Sequence, residues 1–237
     1  MTATLRTDVG KARRQNEDAA WLDEKLGVFA VADGMGGHLA GEVASGMAID
    51  AVKRMAASHE IASISVMREA VSGAHEAIYA HAKATPACAG RGTTLSVLWL
   101  GRRYAYIAHV GDSRIYRMRD GALEQITQDH SLVEELVRSG LITREAARTH
   151  PRRNIITRAL GTQGDNAPDL LAADRKPGDL WLLCTDGLTG MVSDGDIART
   201  LKETDDLDAA ADSLLAQALD AGGRDNVTLI LWRDEEG

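Results

Sequence analysis

The 237-residue chain carries 27 Lys and Arg against 35 Asp and Glu, for a net charge of −8, and 44% of it is apolar. That length supports one large domain over residues 1–237, and the negative balance repels phosphate backbones and anionic lipid, so nucleic acid and membrane surfaces are set aside as partners. Two cysteines, Cys88 and Cys184, make no disulfide framework and no metal spacing, residues 1–10 have no signal-peptide core, and no apolar run approaches the ~20 residues that span a bilayer; the expectation is a soluble cytoplasmic protein.

Residues 26–32 read as a buried strand ending at Asp33-Gly34. Residues 39–57 place Ala40, Val43, Met47, Ala51 and Met55 on one helical face, and residues 64–83 repeat the pattern with Met67, Val71, Ala74 and Ile78. The period then changes. Residues 93–100, 104–110, 114–118 and 122–126 are short, β-rich and separated by turn residues, among them Gly101 and Asp120-Gly121, which predicts an antiparallel meander. Residues 131–160 form a polar helical insertion. Ser131 with Glu134 makes a capping box, Gly140 suits the helix end, and Thr143 caps a second helix that Pro151 helps to stop. A strand at 179–185 follows. Ser193 and Asp196 begin another helix, and residues 207–221 carry Leu207, Ala210, Leu214 and Ala218 on one face before a last strand at 226–232. Helix pairs between groups of antiparallel strands favour layered α+β over alternating α/β.

The chemistry sits in carboxylates at strand ends: Glu17, Asp18, Asp33, Asp112, Asp186 and Asp225. An Asp-Gly pair by itself is a turn signal, and the chain contains two such plain cases, Asp120-Gly121 between alternating strands and Asp194-Gly195 at a helix start. Asp33 and Asp186 differ, because each ends a continuous apolar run, 28–32 and 180–184, of the kind buried on both faces. Burial disfavours a charged carboxylate, and several converging would repel one another. A bound dication relieves both costs. All the candidate donors are oxygen, with no His or Cys pair at zinc spacing, so the expected metal is Mg²⁺ or Mn²⁺. Two such ions can share a water, lower its pKa and aim it at phosphorus. Gly34-Met35-Gly36-Gly37 lacks the Lys-Ser/Thr of a nucleotide loop. Its glycines instead let the backbone approach a metal, with the Gly34 carbonyl as a ligand.

In order along the chain, Arg13-x-x-Asn16-Glu17-Asp18, Val31-Ala32-Asp33-Gly34-Met35-Gly36-Gly37-His38, Gly92-Thr93-Thr94, Val110-Gly111-Asp112-Ser113-Arg114, Asp129-His130-Ser131, His150-Pro151-x-Arg153-Asn154, Thr157-Arg158-Ala159-Leu160-Gly161, Thr185-Asp186-Gly187-Leu188 and Asp225-Asn226-Val227-Thr228 resemble the metal-dependent protein phosphatase family (protein phosphatase 2C-like) in its compact bacterial form. The resemblance implies a four-layer αββα sandwich of two antiparallel sheets flanked by helix pairs, with a flap at about 129–162. It implies that Asp33, Asp186 and Asp225 bind a first ion, that Glu17, Asp33 and the Gly34 carbonyl bind a second, and that Asp112 with Asp186 forms a third, weaker site. Arg13 would hold the substrate phosphate, while Asp18 and Asn226 would orient ligands or bound water. In the eukaryotic branch a His directly follows the Asp-Gly pair as general acid. Met35 stands there in this chain, and His38, three residues on, is open to both a proton-donor and a structural role. His59, His75 and His81 read as surface or core residues. Arg152, Arg153 and Arg158 make the flap basic, toward a phosphopeptide, with Arg152 the one read as solvated.

The implied activity is hydrolysis of phosphoserine and phosphothreonine in proteins, opposing a bacterial Ser/Thr kinase, by a monomer. The sequence has neither a Cys-x5-Arg loop nor an Asp-x-Asp-x-Thr string, which argues against a covalent phosphoenzyme. A phosphatase for small phosphoesters and a non-catalytic phosphoprotein-binding regulator stand as alternatives.

Overall fold

Residues 3–36, 40–85 and 90–235 are described by the computed structural model. In chain order they form β1 (Ala3–Asp8), β2 (Asp18–Asp23), β3 (Val28–Met35), α1 (Ala40–Ser58), α2 (Ile64–Ala84), β4 (Gly92–Thr93), β5 (Leu95–Leu100), β6 (Tyr104–Val110), β7 (Arg114–Arg119) and β8 (Ala122–Gln125). Then come α3 (Leu132–Arg138), α4 (Arg144–Thr149), β9 (Asp169–Asp174), β10 (Leu180–Cys184), α5 (Asp186–Thr189), α6 (Asp194–Glu203), α7 (Leu207–Asp220) and β11 (Val227–Arg233). No helix among the described residues is long and apolar enough to cross a membrane.

The strands make two sheets, ordered β1-β11-β10-β7-β8 and β2-β3-β5-β6-β9, with β4 added to the end of β3. Alternation along each strand sends successive side chains to opposite faces, and in β3 both faces are apolar. Phe29 and Val31 point between the sheets, meeting Leu98, Ile107, Ile115, Trp181, Leu183 and Ile230. Val28, Ala30 and Ala32 point outward and are covered by Val52, Met55, Met67, Val71 and Ile78 of α1 and α2. On the far side, Leu182, Cys184, Leu229 and Leu231 are covered by Ile197 and Leu201 of α6 and by Ala210, Leu214 and Ala218 of α7. Three apolar interfaces therefore stack four layers, αββα, as the resemblance implied. Each largely buried Leu, Ile or Phe in them contributes roughly 1.5–3 kcal/mol of transfer free energy.

The helix faces read from the sequence hold for α2, where Met67, Val71, Ala74 and Ile78 are buried, and for α7, where Leu207, Ala210, Leu214 and Ala218 are. In α1 Ala51 and Met55 are buried as read and Met47 packs against the core, but Val43 is exposed, and Ala44, Ala48 and Val52 complete the buried face. The cause is a backbone contact: a Cβ on Gly41 would lie 2.7 Å from the Gly34 backbone and 2.9 Å from the Glu17 carboxyl. Gly41, Ala44, Ser45 and Ala48 share one helical stripe, and that stripe of small residues lets α1 sit directly on the end of β3.

The predicted meander is corrected in one place. β5 pairs β6, and β7 pairs β8, but β6 and β7 lie in different sheets. The chain crosses from sheet to sheet at Gly111-Asp112-Ser113. Gly111 has φ +110°, and a Cβ there would collide with the Thr94 side chain. Turn signals reveal that two strands are close in sequence, not that the link stays in one plane. β9, which pairs β6 antiparallel as an edge strand, carried no recognised signal.

Candidate metal centre

The acidic residues gather because the sheets end together. Asp33 lies in β3 directly opposite Asp18 of β2, with Glu17 one residue before. Asp186 follows β10, Asp112 occupies the crossing between sheets, and Asp225 lies just before β11. Asn226 ties the segment before β2 to this end: its Oδ1 accepts from the Glu17 N–H at 2.8 Å, and its Nδ2 donates to the carbonyls of Val9 and Gln15 at 2.9 Å each. The Gly34 N–H donates to the Glu17 carbonyl at 3.1 Å, which Ser45 Oγ also reaches at 2.6 Å. A Cβ on Gly187 would strike the Asn226 carbonyl, so that glycine lets α5 press against β11.

Hydroxyls hold the strand ends. Thr185 Oγ1 donates to Asp18 Oδ2 at 2.9 Å. Thr94 Oγ1 accepts from the Asp33 N–H at 2.8 Å and touches Ser113 Oγ at 2.8 Å. Thr94 and Thr185 fall within the motifs that carry the resemblance but had no role assigned, and Ser45 was not singled out; the signal available was a hydroxyl residue adjoining a buried apolar run.

The electrostatics are strongly unfavourable to charge. Burial first, then the charges of Asp186 and Asp225, push Asp18 up to about 7 despite bonds from Thr228 and Thr185. Burial pushes Asp33 well above the carboxylate range, aided by Asp18, Asp186, Asp112 and Asp225. Asp112 is pushed well up by burial and by Asp186. Asp186 rises through burial and Asp225, and a hydrogen bond from Asp33 opposes this; in this pair Asp33 is the proton holder. Asp112 Oδ1 and Asp186 Oδ1 are buried with no hydrogen-bond partner among the described residues. Buried polar atoms are rarely left so, and a hard cation is the partner such oxygens suit.

The fit is incomplete in one respect. Among the described residues no three His, Cys, Asp or Glu side chains stand in ligating geometry around one point. Asp225 instead gives Oδ2 to Arg13 at 2.8 Å and Oδ1 to the Asn226 N–H at 2.9 Å. Arg13 is held above its ordinary value, against the pull of burial, by Asp225 and then by Glu17 and Asp33. Asp33 and Asp186 are thus in contact, Asp112, Asp18 and Asp225 lie within electrostatic reach, and Asp225 faces Arg13. His38 lies outside the described residues.

The flap is anchored to the same end. Arg114 Nε and Nη2 grip Asp129 at 2.9 and 2.7 Å, the bidentate geometry that makes such pairs strong. His130 and Gly111 exchange bonds, the His130 N–H to the Gly111 carbonyl at 2.7 Å and the Gly111 N–H to His130 Nδ1 at 3.1 Å. Arg158 Nη1 donates to Asp169 at 2.9 Å, so Arg158 clamps the flap's base to β9. Ser131 and Thr143 cap α3 and α4 as expected, accepting from the Glu134 and Ala146 N–H groups. His75 Nδ1 accepts from the Gly161 N–H and His81 pairs with Arg91; neither lies at the acidic end.

Two antiparallel sheets between helix pairs, with acidic oxygen donors crowded where the strands end, define the four-layer class of metal-dependent phosphatases. The protein phosphatase 2C family pattern matches residues 10–222. The serine/threonine phosphatase stp of Listeria innocua is 39% identical over 98% of this chain and 95% of its own. The crystal structure of the Mycobacterium tuberculosis serine/threonine phosphatase PstP/Ppp superposes with a TM-score of 0.91 at 38% identity, covering 99% of this chain and 98% of that one. The catalytic domain of PstP in complex with two manganese ions gives a TM-score of 0.89 at 36% identity, covering 98% and 96%. The chain belongs to the protein phosphatase 2C family.

Proposed function

We propose that this protein is a serine/threonine protein phosphatase that hydrolyses phosphoserine and phosphothreonine esters of proteins, opposing a bacterial Ser/Thr kinase, with Mn²⁺ or Mg²⁺ as cofactor. The whole chain serves as one domain, with the flap at about 129–162 beside the cleft, and it acts as a monomer in the cytoplasm. The observation that carries the reading is the pair of orphaned buried oxygens, Asp112 Oδ1 and Asp186 Oδ1, among carboxyls that burial and mutual repulsion hold above their ordinary pKa. The phosphatases named among its relatives support the substrate class.

Asp33, Asp186 and Asp225 would hold one ion, Glu17, Asp33 and the Gly34 carbonyl a second, and Asp112 with Asp186 a third. Bound ions supply Lewis acidity toward the phosphoryl oxygens and the attacking water. The remaining work falls to the chain. Arg13 presents a planar fork suited to two phosphate oxygens, and its bond to Asp225 is the one that closure of the first site must exchange. Thr185 fixes Asp18 Oδ2, and Asn226 holds the Glu17 backbone beside it. Water adds to phosphorus, the ester P–O bond breaks, and the Ser or Thr oxygen leaves with a proton.

Phosphate release from phosphothreonine and phosphoserine peptides tests the reading. Excess chelator is expected to abolish release and Mn²⁺ to restore it. Undiminished release in chelator overturns the proposal.

A further inference from the structure

Between the flap and the acidic end lies a cavity of about 370 Å³, within the range of small-ligand sites. Asp112 and Asp186 line one side; Arg144, Arg148 and Arg153 of the flap line another. Their neighbours decide which of these arginines is available. Arg144 is taken by Glu134, Nη2 to Oε1 at 3.3 Å. Asp129 is taken by Arg114, and Glu145 is turned to its own helix start and Thr143. The side chains of Arg148 and Arg153 have no hydrogen-bond or ion-pair partner among the described residues. Arg152, next in sequence to Arg153, does not line the cavity. Residues 132–162 hold six Arg against three Glu in a chain of net charge −8.

Resting on the phosphatase reading, we propose that this cavity is a subsite for an acidic side chain of the phosphopeptide. The scissile phosphate lies toward Asp186, while a flanking Asp or Glu carboxylate is gripped by Arg148 and Arg153, whose guanidinium forks match a carboxylate in two-point contact. The inference runs against the global field. An acidic protein attracts basic peptides and repels acidic ones, so charge alone predicts the opposite preference.

The test is kcat/KM on phosphothreonine peptides flanked by Asp and Glu, by Ala, or by Lys. The acidic-to-alanine ratio is expected to be on the order of fivefold, the size that partly exposed ion pairs deliver. It falls to about one in the Arg148→Ala/Arg153→Ala double variant, inverts toward Lys-flanked peptide in Arg148→Glu/Arg153→Glu, and stays at the wild-type value in Arg152→Ala. Arg148→Lys, which keeps the charge, recovers part of the ratio. Equal or reversed preference in the wild type overturns the subsite, as does a preference that survives in the double variant or is lost equally in Arg152→Ala. Should no peptide be hydrolysed with Mn²⁺ present, the phosphatase reading fails. Fluorescence anisotropy of the same labelled peptides then still reads the acidic-to-alanine binding ratio.

Discussion

The acidic end and the flap are built in opposite ways. Asp33 and Asp186 stand at the ends of strands buried on both faces, Asp33 with the hydroxyls of Thr93 and Thr94 on its backbone and Asp186 with Oδ1 left without a partner, and the site they make is electrostatically strained. Arg148 and Arg153 stand on or beside a six-residue helix capped by one threonine, their side chains without partners among the described residues. Where charge must be crowded against its own repulsion, the scaffold is two packed sheets. Where charge only recognises, short capped helices on a few anchors suffice. Rigid elements hold unfavourable groups that a loop would let relax.

The sharpest way to break that comparison is Asp33→Asn. It is expected to lower phosphopeptide turnover by about a thousandfold, measured as phosphate release. In chelator it should raise the melting temperature, because it removes a group whose charged form the fold disfavours. A variant that loses both activity and stability would show Asp33 to be structural rather than strained for function.

The strain also predicts a pH slope. Asp18, Asp33 and Asp112 hold protons in the folded chain that the unfolded chain releases above about 4. The folded state therefore binds more protons, and stability falls as pH rises through about 7, the value for Asp18, and on through the range of groups pushed higher. In chelator the melting temperature should be lower at pH 8 than at pH 5.5, by several degrees. Mn²⁺ should flatten the slope by favouring the charged forms. Thermal scans at both pH values settle it, and a slope of the opposite sign without metal contradicts the burial argument.

Gly111→Ala tests the joint between the two regions. A side chain at φ +110° that also meets Thr94 should cost about 3 kcal/mol, or roughly 6–12 °C in melting temperature. The smallest effect belongs to the flap. Ser131→Ala removes the α3 cap for about 1 kcal/mol, seen as faster amide exchange in residues 132–138 while the strands keep their protection. Equal loosening of β3 would mean that flap and sandwich unfold together.

Much of the fold was legible. The faces of α2 and α7, the caps of α3, α4 and α6, the doubly buried runs before Asp33 and Asp186, and the plain turn at Asp120-Gly121, where φ is 52° and 75°, are all consequences of neighbours within a few residues. So was the donor chemistry, since only oxygen ligands stood at strand ends. At the start of α1 the outward turn of Val43 was not legible, because that turn is set by Gly41 against Gly34, a contact with another element.

What the sequence determined, then, is which segments are helix or strand and which faces are apolar, because each depends on spacing along the chain. The tertiary structure alone decided that residues 111–113 carry Asp112 across to Asp186, that Arg13 meets Asp225, and that Arg148 and Arg153 but not Arg152 face the cavity. Those pairings depend on sheet order and on the distance between strand ends, and local periodicity carries no information about either.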